Sequence, residues 1–228
     1  MNDFCLSQDL GRMKDYQATC ITEVKMVARQ RTSKARSIFT KGQQEVIYPE
    51  IHFRWIGRSQ IGYAKLVADT KDRLESPQLI YNCDHVIDAT GVGQAVIEFM
   101  RAEMLSPIGI YITGGNVSNP HPYGWSVPKT ELIANFQMCL TRNLIKFSDQ
   151  LDPDVMKQLD HEILTFKEKP TAKGNKTYAA EKESDHDDLI MSCMLNCWWV
   201  MKSHGVQITK RRDLKVDSDY SPYDSIMK

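Results

Sequence analysis

The chain has 228 residues, 42% of them hydrophobic and 25% charged, with 29 basic side chains balancing 29 acidic ones. This composition fits one large globular domain or two small ones, and excludes gross disorder and collagen-like structure. Zero formal net charge excludes a globally basic nucleic-acid binder, but not one that works through a local basic strip.

No segment offers the roughly 20 apolar residues of a membrane span. Met1 to Leu10 lacks the basic region and apolar run of a secretory leader, so none is expected. The cysteines (Cys5, Cys20, Cys83, Cys139, Cys193, Cys197) include no C-x-x-C pair, and Cys193 and Cys197 have no histidine pair at zinc spacing. They read as small buried hydrophobes in a reducing, cytoplasmic compartment.

Phe4 to Leu10 predicts a buried strand with Asp9 near its end, followed by Gly11. Thr19 to Val27 alternates like a second strand, and the short turn between them predicts a hairpin. Lys25 to Lys41 is basic with no acid, an exposed loop or strand extension. Ile51 to Ile56 is a third strand. Ile61 to Leu74 is an amphipathic helix. His85 to Ala89 is a strand that again ends on a carboxylate, Asp88. Gly91 and Gly93 follow, then a helix from Ala95 to Met104. Ile108 to Thr113 is a strand closed by Gly114 and Gly115. Residues 116–126, rich in Asn, Pro and aromatics, predict a loop. Pro128 marks a helix start continued by Lys129 to Leu140. Leu144 to Phe147 is a short strand, and Pro153 to Phe166 a helix. Lys167 to Ser184 is an extended hairpin or a mobile loop. Asp187 to Lys202 is the most apolar helix, with acids at its dipole-favoured start. Arg211 to Lys228 is a polar tail. Early strands followed by alternating strands and helices predict a mixed α/β sheet.

Asp9 and Asp88 stand at carboxyl ends of strands, where open α/β sheets tend to bind ligands. Asp187 and Asp188 open a helix. Any one of them alone reads as a turn former or a cap. Brought together, they would repel, and no Lys or Arg adjoins HVIDATGVG to compensate. A hard divalent cation suits an all-oxygen set of this kind, and two such ions can drive phosphodiester hydrolysis.

Four stretches carry a resemblance: SQDLGRMKDYQA (7–18), HVIDATGVGQAVIEFM (85–100), VPKTELIANFQMCL (127–140) and DHDDLIMSCMLNCWW (185–199), with IYITGGN (110–116) ahead of the third. In order and spacing the chain resembles the C-terminal nuclease domain of the large terminase subunit of tailed bacteriophages, over residues 4 to 203. The resemblance implies an RNase H-like mixed sheet, antiparallel early strands then parallel ones, flanked by helices. It implies residues 1–205 as the nuclease domain and 206–228 as a polar, flexible tail. It also implies a two-metal endonuclease acting on double-stranded DNA during packaging, with Mg²⁺ or Mn²⁺ as cofactor. Asp9, Asp88 and Asp188 would be the metal ligands, and Asp187 a ligand or an adjacent carboxylate. Asp15 would be an auxiliary acid, and Lys129 would contact DNA or a carboxylate. His186 reads as a structural hydrogen-bonding residue beside the acids.

Phosphate contacts are expected from Arg29, Arg31, Lys34 and Arg36, from Arg58, and from Lys167, Lys169, Lys173 and Lys176; a solvated basic face is the plainer reading of each cluster. There is no G-x-x-x-x-G-K-[ST] stretch, so no motor activity is expected of this sequence; an excised domain, a split gene product and a prophage remnant all stay open, with a separate ATPase motor, the portal protein and the small terminase subunit as candidate partners. Three other readings stay open. A Holliday-junction-resolvase-like nuclease would use similar acids. An actin-like ATPase would need a Ser/Thr-rich phosphate turn that DLGRMKDY lacks. An inactive prophage remnant could act as a DNA- or portal-binding module, though acids at all three core positions weigh against decay.

Overall fold

A computed structural model describes residues 2–11, 15–30, 45–170, 176–180, 186–205 and 207–209. In chain order the elements are β1 (Phe4–Asp9), β2 (Gln17–Gln30), β3 (Glu45–Ser59), α1 (Tyr63–Leu74), β4 (Cys83–Asp88), α2 (Gly93–Ala102), β5 (Ile108–Thr113) and β6 (Asn119–His121). They continue with β7 (Gly124–Pro128), α3 (Lys129–Thr141), β8 (Ile145–Phe147), α4 (Pro153–Thr165), β9 (Phe166–Pro170), β10 (Lys176–Ala180), α5 (Asp188–His204) and β11 (Gln207–Thr209). The chain divides into two compact units, residues 1–25 with 49–205, and residues 26–48 with 206–228.

In the first unit the strand order is β3-β2-β1-β4-β5-β7-β6, with β8 beside β3. β1 and β2 pair antiparallel, Asp9 opposite Ala18. β4, β5 and β7 then run parallel to β1 and to one another. This is the mixed sheet expected, with helices on both faces. In the second unit β11 pairs antiparallel with the outer part of β3, Gln207 opposite Ile47.

Strand alternation assigns the two faces of the central strands. On one face, Ile87 packs with Leu66 and Val67 of α1 and with Val96, Ile97 and Met100 of α2. Gln8 also faces α1, donating to Thr70 Oγ1 at 3.0 Å. The opposite face meets α5, against which α3 and α4 pack in turn. There Ser7 Oγ donates to the Ser192 carbonyl at 2.9 Å, and Ser192 Oγ donates back to the Ser7 carbonyl at 3.0 Å. Asn196 Nδ2 donates to the Cys5 carbonyl at 3.1 Å, and Trp199 Nε1 to Asp84 Oδ2 at 2.7 Å. Residues 5, 7 and 9 of β1 and 84, 86 and 88 of β4 therefore look towards α5. β1 is buried on both faces, so its polar side chains must find partners inside the protein.

Two strands lie where a loop was expected. β6 and β7 form an antiparallel hairpin within residues 119–128, and β7 extends the parallel sheet beside β5. Pro120 sits on the outermost strand, where a missing N–H costs no ladder bond. Gly124, at φ +153°, lets β7 approach so closely that a side chain there would strike the Gly109 backbone. Of the two alternatives for the stretch after α4, the described residues favour the hairpin, with β9 paired antiparallel to β10. The polar tail and most of the 25–41 basic stretch lie outside the described residues. All six cysteines are free, and only Cys83 is not buried. Among the described residues, no helix is long and apolar enough to cross a membrane.

His85, on the α1 face of β4, makes a sharp pH prediction. Its Nε2 lies 2.8 Å from Gln8 Oε1, its Nδ1 is buried without a partner, and burial pushes its pKa down to about 4. The folded protein thus holds His85 neutral while the unfolded chain protonates it below about pH 6.5. The unfolded state then binds more protons, so this contribution is lost as pH falls from about 6.5 towards 4. Relative to His85→Gln, the native sequence should lose about 1 kcal/mol of unfolding free energy between pH 7.5 and 5.5. Urea denaturation of both proteins at the two pH values measures it; parallel pH dependences would exclude this role for His85.

Candidate active site

The acids come from three elements. Asp9 ends β1 and Asp88 ends β4, adjacent parallel strands with Gln8 opposite Ile87. Both lie on the face turned to α5. Asp187 is the N-cap of α5 and Asp188 its first residue. The sheet and the helix it carries thus bring the two strand-end acids to the start of that helix.

Local chemistry fixes each one. Asp88 Oδ1 accepts the Thr90 N–H at 2.7 Å, a side-chain-closed turn at the strand end. α2 begins tightly against this turn, and a Cβ on Gly93 would collide with the Asp88 carbonyl. Lys129, the first residue of α3, places Nζ 3.6 Å from Asp187 Oδ2 and 5.3 Å from the Phe166 ring centroid. Asp188 Oδ2 lies 3.8 Å from Arg58 Nη1 and 3.7 Å from His186 Nδ1, yet it is buried without a hydrogen bond. Tyr16 stands edge-on to His186, centroids 5.0 Å apart, with the Arg58 guanidinium 4.5 Å over its ring. Asp15 is exposed beside Tyr16.

The electrostatics follow from crowding. Burial pushes the Asp9 carboxyl well above the usual carboxylate range, Asp88, Asp188 and Asp187 push it further, and Lys129 alone opposes them. Burial also raises Asp88, against its Thr90 hydrogen bonds and the Lys129 charge. Asp188 is raised to about 6 by burial, with Asp187 and Asp15 adding and His186 and Arg58 opposing. Among the described residues, however, no three His, Cys, Asp or Glu side chains already stand close enough together to hold a metal ion.

One acid escapes sequence reasoning. Glu162, on α4, is buried with 3% exposure. Its Oε2 accepts the Ile190 N–H at 2.9 Å and its Oε1 accepts from Arg58 Nη1 at 3.1 Å. Burial raises it to about 7, against the Ile190 N–H and Arg58. In PDVMKQLDHEILT it looks like any solvated helix acid, and nothing in that segment announces α5 above it. Arg58, expected among the phosphate contacts, has its guanidinium on Glu162, on the Tyr16 ring and on Gln158, whose Oε1 accepts at 2.8 Å. The backbone of Arg29 lies in β2, those of Lys167 and Lys169 in β9, and that of Lys176 in β10. Arg31, Lys34, Arg36 and Lys173 lie outside the described residues.

No protein-family model matches the chain, and no curated protein matches it. Solved structures do. The large terminase nuclease from thermophilic phage G20c with bound magnesium superposes with a TM-score of 0.56 at 20% identity, over 86% of this chain and 81% of that one. The same nuclease with bound cobalt gives 0.53 at 19%, over 86% and 81%. The large terminase nuclease domain of Thermus phage P74-26 gives 0.51 at 19%, over 86% and 78%. The fold is that of the large terminase nucleases. In this terminase-nuclease fold, the RNase H-like mixed sheet carries Asp9 and Asp88 on neighbouring strand ends and Asp187 and Asp188 on the helix that covers them.

Proposed function

We propose that this chain is a divalent-metal-dependent endonuclease that hydrolyses phosphodiesters of double-stranded DNA, as the nuclease of a phage DNA-packaging machine in the bacterial cytoplasm. The observation that carries the reading is the convergence of Asp9 and Asp88, on neighbouring parallel strand ends facing α5, upon Asp187 and Asp188 at the start of that helix. Asp9, Asp88 and Asp188, with Asp187 beside them, would hold two Mg²⁺ or Mn²⁺ ions. The donor chemistry fits: an all-oxygen set is what hard divalent ions take, and the buried Asp188 Oδ2 makes no hydrogen bond, which leaves its lone pairs open to a cation. Bound divalent ions supply the Lewis acidity for an in-line displacement by water at phosphorus.

The chain's own groups do the rest. Lys129 holds one cationic charge against Asp187 and offers it to a scissile phosphate. His186 orients beside Asp188, and Asp15 adds negative charge at the rim. Arg29, Arg31, Lys34, Arg36, Lys167, Lys169, Lys173 and Lys176 supply phosphate contacts, which make affinity salt-dependent and sequence-independent. In packaging, a separate ATPase motor, the portal protein and the small terminase subunit would deliver and position the duplex.

Supercoiled plasmid tests this. With Mg²⁺ or Mn²⁺ the protein should nick and linearise it, EDTA should stop the reaction, and Asp88→Ala should lose it. Cleavage that survives EDTA or the substitution would reject the site. Four-way-junction DNA cut in preference to the plasmid would shift the reading to a resolvase.

A further inference from the structure

Helix α5 begins in an unusual way. Its N-cap residue, Asp187, is of a type that normally turns its carboxylate back onto the first free N–H groups, but it makes no such bond. That carboxylate lies instead towards Lys129 Nζ, 3.6 Å away. Next in line, Asp188 leaves its Oδ2 without a hydrogen bond. The helix start is still satisfied, because Glu162 reaches across from α4 and accepts the Ile190 N–H at 2.9 Å. Its second oxygen accepts from Arg58 at 3.1 Å, and that same Nη1 is the cation 3.8 Å from Asp188 Oδ2.

We infer that Glu162 is a positioning residue: it caps α5 from outside and, through Arg58, keeps the Asp187 and Asp188 carboxylates free to take a divalent cation. This rests on the metal-dependent reading above. The physical reasoning is a competition for acceptors. An uncapped helix start leaves buried N–H groups that cost free energy until something accepts them. Without Glu162 the nearest acceptors are the carboxylates of Asp187 and Asp188. Each would then be spent on the helix backbone and turned from the cluster. Arg58 anchors the other side of Glu162 by donating to it from Nη1 at 3.1 Å. Its aromatic and amide contacts, Tyr16 and Gln158, fix the guanidinium plane. Groups that orient metal ligands in this way carry effects of about 10–100-fold on metal affinity when removed.

The test uses the full chain without DNA. Mn²⁺ binding is followed by the loss of the free-ion EPR signal, and exchange of the Ile190 amide by hydrogen–deuterium exchange. Glu162→Ala should weaken Mn²⁺ binding about tenfold or more and speed Ile190 exchange. Glu162→Gln keeps an acceptor for Ile190, so it should retain amide protection and recover most of the Mn²⁺ affinity. Leu159→Ala, a cavity one turn away on the same helix, should lower stability and leave Mn²⁺ binding unchanged. Native-like Mn²⁺ binding by Glu162→Ala, or an equal loss in Leu159→Ala, overturns the assignment. If the unsubstituted protein binds no Mn²⁺, the metal-dependent reading fails and takes the ligand-freeing role with it, whereas the Ile190 exchange still decides the cap independently.

Discussion

Asp9→Asn should abolish metal-dependent cleavage while raising the melting temperature of the metal-free protein. The two effects have one origin. Asp9 lies half-buried beside Asp88, Asp188 and Asp187, and only Lys129 pulls against them. Its ionised form is therefore disfavoured in the folded chain relative to the unfolded one. A carboxyl with a raised folded pKa binds more protons in the native state across the interval between its unfolded and folded values. Stability then falls as pH rises through that interval. For Asp188 the interval runs from its ordinary value to about 6, and for Glu162 to about 7. The metal-free protein should thus gain stability from these acids as pH drops from 7 to 5, opposite in sign to the His85 contribution. Asn at position 9 keeps the shape, removes one charge and flattens the carboxylate part of the profile. On the proposed function the same substitution removes a metal ligand, and the cleavage rate should fall on the order of 100-fold or more, since even groups that only orient ligands cost that much. Plasmid cleavage and thermal melts in EDTA, run on one preparation, measure both. A variant that cuts normally, or one that melts lower at pH 7, contradicts the argument.

Asn196→Ala should strongly destabilise the α5 interface. Asn196 is fully buried. Its Nδ2 donates to the Cys5 carbonyl at 3.1 Å and to Ser7 Oγ at 3.2 Å, and its Oδ1 accepts from Thr22 Oγ1 at 2.8 Å. One side chain therefore stitches α5 to both β1 and β2. Alanine leaves these partners without Asn196, at about 1–3 kcal/mol for a buried polar group left unsatisfied, and adds a small cavity. At roughly 2–4 °C per kcal/mol for a chain of this size, the melting temperature should drop by about 5–10 °C. Because β1 and α5 carry the acids, cleavage should fall with it. A melt within about a degree of the native protein would show that water replaces the amide.

The central strands were legible because their burial is written in short apolar runs. The expected strands FCLSQDL, HVIDA and IGIYIT each end within a residue of the structural boundary, and the glycines after them mark where the chain must turn. The strand-end acids could be read for the same reason: a carboxylate closing an apolar run has no apolar partner to pack with. The β6–β7 hairpin was hidden because NPHPYGWS is built from turn residues, and its place in the sheet comes from pairing with β5, a contact that local sequence does not encode. Glu162 was hidden because its burial is made by a helix some 28 positions further on. Arg58 was legible as a charge but not as a pair, since ion-pair partners 104 positions apart leave no spacing to read.

The serine exchange between β1 and α5 joins residues 185 positions apart. Its consequence is one of timing. Asp9 is made before the helix that brings Asp188 to it, and that helix follows every strand of the parallel sheet in the chain. The acids therefore cannot meet before α5 has been made, and on the proposed function the nascent domain is silent towards DNA until then. Competence arrives in one late step, the docking of α5, and contacts this remote in sequence are slow to form. Trapping α5 undocked, for instance with Asn196→Ala on a ribosome-stalled chain, would hold the protein in that silent state.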